Sequence, residues 1–191
     1  MRQIVILSGS PAERSRSDRA LDQFREIAMD QGYTVQFFSV RDVSPEALFY
    51  TRFNDPEVVA IGNALRAADG VIIGSPVYKA SYTGIFKALI DLLPEDVLKD
   101  TPVLPIMVGG SSKHLLAIEF ALKPLLATLK AELLQGVYIL DTQIDKIKTP
   151  AIQDSTLMDR IQDQMKQLTI AIEKKCAYED KDKLMGHHLN K

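Results

Sequence analysis

Residues 3–20 read Gln-Ile-Val-Ile-Leu-Ser-Gly-Ser-Pro-Ala-Glu-Arg-Ser-Arg-Ser-Asp-Arg-Ala. Ile4 to Leu7 is a short apolar run rich in β-branched residues, the pattern of a strand buried on both faces. It breaks at Ser8-Gly9-Ser10-Pro11, a cluster of turn-forming residues. A helical period follows from about Ser17, with Asp18 in its first turn and Ala20, Leu21, Phe24, Ile27 and Ala28 on one face. A strand, a small hydroxylated loop and a helix N-terminus in succession form an anion site. Free backbone N–H groups and the helix dipole both favour negative charge there.

The loop carries four serines, Ser8, Ser10, Ser15 and Ser17, with Pro11 and two arginines, Arg14 and Arg16. Hydroxyls and N–H groups can wrap a terminal phosphate, and an arginine can pair with it bidentately. The G-x-x-x-x-G-K-[ST] lysine of a nucleoside-triphosphate loop is missing, and so is the G-x-G-x-x-G of a dinucleotide site. A monophosphate such as that of FMN suits the loop better. A serine-rich loop that merely caps a helix is the plainer alternative, and this stretch alone leaves it open.

Further along, Gly32 closes the first helix and Tyr33 to Phe38 alternates as a second strand. Ser44-Pro45-Glu46 opens a helical turn through Phe49 and Tyr50. Asp55-Pro56-Glu57 starts a helix whose expected buried face is Val58, Val59, Ile61, Leu65 and Ala68. A third strand spans Val71 to Ser75, and a helix from about Thr83 to Leu93 stops at Pro94. A fourth strand spans Val103 to Val108, followed by a long helical pattern from Lys113 to about Lys130. Val137 to Leu140 is the fifth strand. A last helix from about Ser155 to Lys175 places Leu157, Ile161, Met165, Leu168, Ile170 and Ile172 on one broad face. Short apolar strands alternating with amphipathic helices imply an α/β fold, a parallel sheet covered on both faces. Five strands suit the flavodoxin-like three-layer order 2-1-3-4-5. Residues 1–176 are expected to form a single domain, and residues 177–191, charged and poor in apolar residues, a flexible tail or a segment packed on a partner chain.

Composition bounds the function. A hydrophobic share of 46% and a charged share of 25% are those of an ordinary globular protein. A net charge of −2 offers no attraction for nucleic acid or an anionic membrane. No apolar run is long enough to span a bilayer, and Met1 leads almost directly into the first strand with no room for a signal peptide, so the expected compartment is the cytoplasm. The single cysteine, Cys176, excludes an internal disulfide and a C-x-x-C motif. None of His114, His187 and His188 stands in metal-ligand spacing with acids, and no G-x-S-x-G elbow is present.

In a doubly wound sheet, ligands bind outside the carboxyl ends of the strands at the point where strand order reverses. That rule gathers the loops after strands one, three and four: Ser8–Ser17, Pro76–Tyr82 and Gly109–Ser112. In the second, Ser75-Pro76-Val77-Tyr78-Lys79-Ala80-Ser81-Tyr82, a rigid proline start and an aromatic Tyr78 suit a flat isoalloxazine ring. The following backbone can meet the ring edge, and Lys79 could reach a phosphate or the negative charge of a reduced flavin. In the third, Gly109, Gly110 and Ser111 let the backbone come close to a ligand. Tyrosines that only pack on the next helix, and glycines that only make a turn, are the bland alternatives for these two loops. Hydride transfer to a flavin requires a nicotinamide stacked on an open flavin face and no protein acid or base, so a chain without a catalytic cluster is compatible with it.

These residues resemble the NADPH-dependent FMN reductases of the flavodoxin-like superfamily, and among them the reductase components of two-component alkanesulfonate monooxygenases. The likeness rests on Ser8-Gly9-Ser10-Pro11 with Arg14, Ser15 and Ser17, on Ser75 to Tyr82, and on Asp91-Leu92-Leu93-Pro94 through Gly109-Gly110. It extends to His114-Leu115-Leu116-Ala117 and Ala121-Leu122-Lys123-Pro124, covering most of residues 3–140. The resemblance implies FMN at the three loops, NADPH or NADH as donor, release of reduced FMN to an oxygenase, and a homotetramer. Flavin-releasing members share an extra residue, often tyrosine, that forms a π-bulge at the tetramer interface. The matching position here is Phe120, which keeps the ring and lacks the hydroxyl. Three other functions stay open: a reductase that retains FMN and reduces quinones, azo dyes or metal oxyanions, a flavodoxin-like electron carrier, and a flavin-free binding module on the same fold. The near-neutral charge and absence of tryptophan weigh against the carrier.

Pro124 makes an expectation of its own. It lies inside the apolar pattern Leu115, Leu116, Ile118, Phe120, Leu122, Leu125, Leu126, Leu129. Having no N–H, it deprives the Phe120 carbonyl of a helical partner and crowds it, at a cost of about 3 kcal/mol in a regular helix. A π-type bulge or kink just before Pro124 relieves this. A helix apolar nearly all round exceeds what one sheet face can bury, which predicts a homo-oligomer with Phe120 and Pro124 at or near the contact.

Overall fold

The computed structural model describes residues 2–186. Its centre is a parallel sheet of β1 (Gln3–Ser8), β2 (Thr34–Ser39), β3 (Gly70–Pro76), β4 (Pro102–Gly109), β5 (Glu132–Leu133) and β6 (Val137–Leu140). The order is β2-β1-β3-β4-β5, with β6 also pairing to β4, so the expected 2-1-3-4-5 arrangement is present. All pairings are parallel. The helices are α1 (Arg16–Asp30), α2 (Pro45–Phe49), α3 (Pro56–Ala67), α4 (Gly84–Ile90), α5 (Lys123–Thr128) and α6 (Ser155–Gly186).

Strand alternation divides the core in two. Val5, Leu7, Val71, Ile73, Val103 and Met107 meet the helices α2 to α5 on one face. Ile4, Ile6, Ile72, Leu104, Ile106 and Val108 meet α1 and α6 on the other. Burial on both sides is why these strands read as unbroken apolar runs.

The edge position is split, which local patterning does not reveal. β5 pairs with Pro102 and Val103, whereas β6 pairs with Ile106 to Gly109. The cause is Pro105. Leu134 donates its backbone N–H to the Val103 carbonyl at 3.0 Å, so alternate β4 residues, Val103, Pro105 and Met107, turn their main-chain groups to this edge. Pro105 has no N–H to give there. The chain leaves the ladder opposite it and returns through Gly136, at φ +85°, where an added Cβ would lie 2.5 Å from the Pro105 carbonyl oxygen.

Several expectations need correction. Val59 is 44% exposed, because the buried stripe of α3 runs through Val58, Ile61, Gly62 and Leu65. Ile170 on α6 is also turned outward. Thr83 is the cap of α4, which ends at Ile90 before the turn into Pro94. Residues 113–130 do not form one helix: a 3-10 turn at Ser112–His114 leads to a π-helical stretch, Ile118–Leu122, and then to α5. The π stretch lies just before Pro124, where the missing N–H calls for it, and Lys123 donates to the carbonyl of Ile118 five residues back. The last helix passes the expected end near Lys175 and continues to Gly186, so residues 177–186 of the expected tail are helical. Residues 187–191, with His187 and His188, lie outside the described residues. Among the described residues no helix is long and apolar enough to cross a membrane.

Candidate functional site

The loop from Ser8 to Ser15 turns the chain from β1 into α1. Ser15 caps the helix, its Oγ accepting the backbone N–H of Asp18 at 3.0 Å and lying 2.9 Å from Ser17 Oγ. Arg16 and Ser17 are the first helical residues, so their N–H groups have no partner within the helix and point out of its positive end. Ser8 and Ser10 are fully buried and work inside the loop. Ser8 Oγ donates to Asp18 and accepts the N–H of Ser10 at 3.2 Å, and Ser10 Oγ bonds both main-chain groups of Ala12. Pro11, Arg14 and Arg16 are exposed, with Arg14 at φ 48°, a left-handed conformation that costs a non-glycine residue energy and recurs at ligand-binding loops.

The second loop ends β3 at Pro76 and closes into a tight turn. Tyr78 N–H donates to the Ser81 carbonyl at 2.8 Å, and Ser81 N–H donates back at 3.1 Å. Lys79 and Ala80 between them both take positive φ, 52° and 63°, as the central residues of a type I′ turn do. Neither is a residue that favours this, so the surrounding contacts hold about 1–3 kcal/mol of strain at each. Tyr78 is 50% exposed, and Lys79 and Ala80 form the open tip. Tyr82 instead packs edge-on against Phe86, with ring centroids 6.0 Å apart. Val77 is half-buried and donates its N–H to the Val108 carbonyl at 2.8 Å, joining this loop to the end of β4.

In the third loop Gly109 is buried and Gly110 exposed. A Cβ on Gly109 would sit 2.2 Å from Tyr138 Oη, so a side chain is excluded there. Tyr138, from β6, donates its hydroxyl to the Ser111 carbonyl at 2.7 Å and props the loop. Burial first, and the nearby Asp141 carboxylate second, push the Tyr138 phenol above its ordinary pKa.

The three sequence-derived loops meet at one edge. Gly9 N–H donates to the Gly74 carbonyl at 2.7 Å, and Thr83 donates its hydroxyl to the Gly9 carbonyl at 2.6 Å. Thr83 N–H in turn donates to Ser75 Oγ at 3.3 Å. Beside α1, Arg16 lines a cleft of about 550 Å3 together with Thr142, Gln143, Lys146 and Asp154. Residues that patterning missed are those that hold the loops: Thr83, Tyr138 and, after β2, Arg41. Their partners are distant in sequence, and only the helix-cap position of Thr83 carried a local signal.

A strand end, a capped helix N-terminus with free N–H groups, buried serines that shape the loop and two exposed arginines form a donor set suited to a phosphate. The adjoining Tyr78 and the open glycine loop offer a flat wall and a close backbone approach, as a planar ring requires.

Comparison with known proteins identifies the family. The sequence profile of the family described as NADPH-dependent FMN reductase matches residues 2–145. An "FMN reductase (NADPH)" of Pseudomonas putida is 42% identical over 172 residues, covering 88% of this chain and 87% of its own. The "NADH-dependent FMN reductase SfnE" of Pseudomonas putida is 47% identical over 135 residues, 67% of this chain and 70% of that one. Among solved structures, the apo form of the NADH:FMN oxidoreductase EMOB superposes with a TM-score of 0.71 at 29% identity, over 92% of this chain and 88% of that one.

Proposed function

Because this chain belongs to the NADPH-dependent FMN reductase family, and is thereby an NAD(P)H-dependent oxidoreductase with FMN as its flavin, we propose that the three loops hold FMN for reduction and release to a monooxygenase. The observation that carries the placement is the open N-terminus of α1 beneath β1, tied through Gly9, Thr83 and Val77 to the other two loops. FMN, when bound, supplies the acceptor for a hydride from the nicotinamide.

This chain's residues bind and orient. Arg16 and Ser17 direct N–H groups at the phosphate, and Arg14 and Arg16 add charge that a dianion selects. Ser10 shapes the loop, Tyr78 covers the ring, and the Lys79–Ala80 tip and the Gly109–Ser111 backbone meet its edge. The site faces outward at the sheet edge, which suits a flavin that leaves after reduction. The relatives' names differ in the donor, NADPH in one and NADH in the other, so the donor here is written NAD(P)H. The cytoplasm, where these nucleotides and free FMN occur, is the compartment this reading implies.

The reading includes a homotetramer. A tetramer of two-fold symmetry needs two separate interfaces on each chain. Two exposed apolar patches support this: Leu115, Leu116 and Phe120 around the π stretch, and Phe49, Tyr50 and Phe53 at and beyond the end of α2.

The test is NADPH and NADH oxidation followed against free FMN. A saturable dependence on added FMN is expected, and a rate indifferent to it in a tightly yellow protein would mean that flavin is retained. Ser10→Ala with Arg14→Ala tests the placement: FMN binding should weaken by about 2–4 kcal/mol. Unchanged FMN affinity in the folded double variant would move the phosphate elsewhere.

A further inference from the structure

We propose that Arg41 is a positioning residue that sets the phosphate loop in its binding shape and so determines selectivity for FMN over the unphosphorylated flavin. The inference rests on the placement of the phosphate at the α1 N-terminus.

Arg41 belongs to a 3-10 turn, Val40–Asp42, at the carboxyl end of β2. The turn is fixed by a capping box: Ser39 N–H donates to Asp42 Oδ2 at 2.8 Å, and Arg41 N–H donates to Ser39 Oγ at 3.2 Å. The Arg41 side chain reaches across to the loop after β1, although it stands 31 positions from Ser10. Its Nη1 donates to the carbonyls of Ser10 and Ala12, the latter at 3.1 Å. Its Nη2 forms an ion pair with Asp18 Oδ2 at 3.0 Å. One guanidinium therefore holds two loop carbonyls and one helix carboxylate through two separate nitrogens of a rigid planar fork, whereas an ammonium would have to draw all three oxygens onto one nitrogen.

Two consequences bear on a phosphate. The first is directional. In a trans peptide the C=O and N–H point opposite ways. Drawing the Ala12 carbonyl toward Arg41 turns the Glu13 N–H away from it, and the Ser10 carbonyl precedes Pro11, which has no N–H to misplace. The loop is thereby held with its carbonyls, which would repel an anion, gathered on one cation.

The second consequence is electrostatic. Asp18 sits in the first turn of α1, directly beneath the loop, and its side chain is largely buried. Oδ1 receives the Ser8 hydroxyl, whereas Oδ2 is buried without a hydrogen bond of good geometry. A carboxylate left uncompensated there would oppose a dianion at the same helix end. The guanidinium is the counter-charge that lets the acid serve as a strut for Ser8 without expelling the ligand.

The experiment measures dissociation constants of FMN and riboflavin for wild type, Arg41→Met, Arg41→Lys and Asp18→Asn with Arg41→Met, by flavin fluorescence quenching. Wild type is expected to prefer FMN. Arg41→Met should weaken FMN binding about 10- to 100-fold with riboflavin binding unchanged, the size of losing charge-assisted bonds that order the loop. Arg41→Lys should fall between. In the double variant no buried charge is left unpaired, so it controls for folding, and its FMN preference should stay low because the carbonyls remain unheld. An FMN-to-riboflavin ratio unchanged by Arg41→Met, or equal losses for both flavins, would overturn the role of Arg41. Restoration of the ratio in the double variant would also overturn it, by reducing Arg41 to a mere counter-ion of Asp18. A wild type indifferent to the phosphate would overturn the placement of the site as well, an outcome distinct from the others.

Discussion

Thr83 and Gly9, 74 positions apart, are joined by a 2.6 Å hydrogen bond from the threonine hydroxyl to the glycine carbonyl. The same Oγ1 accepts the N–H of Phe86 at 3.1 Å and so caps α4. Gly9 lies against Phe86 itself, for a Cβ there would come within 2.9 Å of the ring. One buried hydroxyl thus locks the loop after β1 onto the helix that follows the loop after β3. Thr83→Val keeps the shape but strands the Gly9 carbonyl and removes the cap. Urea unfolding should show a loss of about 1–3 kcal/mol, with weaker FMN binding, while Thr83→Ser stays near wild type. A valine variant as stable as the wild type would deny the bond its role.

Tyr78 and Tyr82 flank the same turn yet do different work. Tyr78 is half exposed at the mouth of the turn, whereas Tyr82 is engaged with Phe86. Tyr78→Ala is therefore expected to alter the absorbance or affinity of bound FMN more than Tyr82→Ala, which should act mainly on stability. Difference spectra and FMN titrations of both variants check the order, and the reverse order would place the ring away from Pro76–Ser81.

Phe120 is 78% exposed on the π stretch, with Leu115 and Leu116 about half exposed beside it. Size-exclusion chromatography with light scattering should give a tetramer for the wild type and a smaller species for Phe120→Ala. A wild-type monomer at micromolar concentration would end the oligomer reading, and an unaffected tetramer in the variant would remove Phe120 from the contact.

Tyr138 donates to the Ser111 carbonyl only while protonated, and its pKa is raised. The sign follows from linkage: a group whose folded pKa lies above its unfolded value contributes stability below the unfolded pKa, and that stability is lost as pH rises through the folded one. The window opens at about pH 10, the ordinary tyrosine value. Melting temperatures should fall more steeply above that pH in wild type than in Tyr138→Phe, whose neutral-pH stability should be lower by about 1 kcal/mol. Parallel curves for the two proteins would contradict this.

Patterns along the chain were enough to read the layered fold and the three loops that it gathers at one edge. Unbroken apolar runs at Ile4–Leu7, Val71–Ile73 and Val103–Val108 imply a sheet covered on both faces, and strand order then brings three particular loops to one edge. Pro124 likewise announced the π stretch, because a missing N–H acts within one helical turn. These are effects of neighbours along the chain. Tertiary structure alone decided that Arg41 grips the loop after β1, that Thr83 bridges to Gly9, that Tyr138 props Ser111 and that Pro105 splits the edge strand. Each of these depends on where a side chain or an unpaired main-chain group falls once strands are in register. An arginine after β2 reads as an ordinary surface charge until the β1–β2 pairing sets it beside two carbonyls and a buried carboxylate.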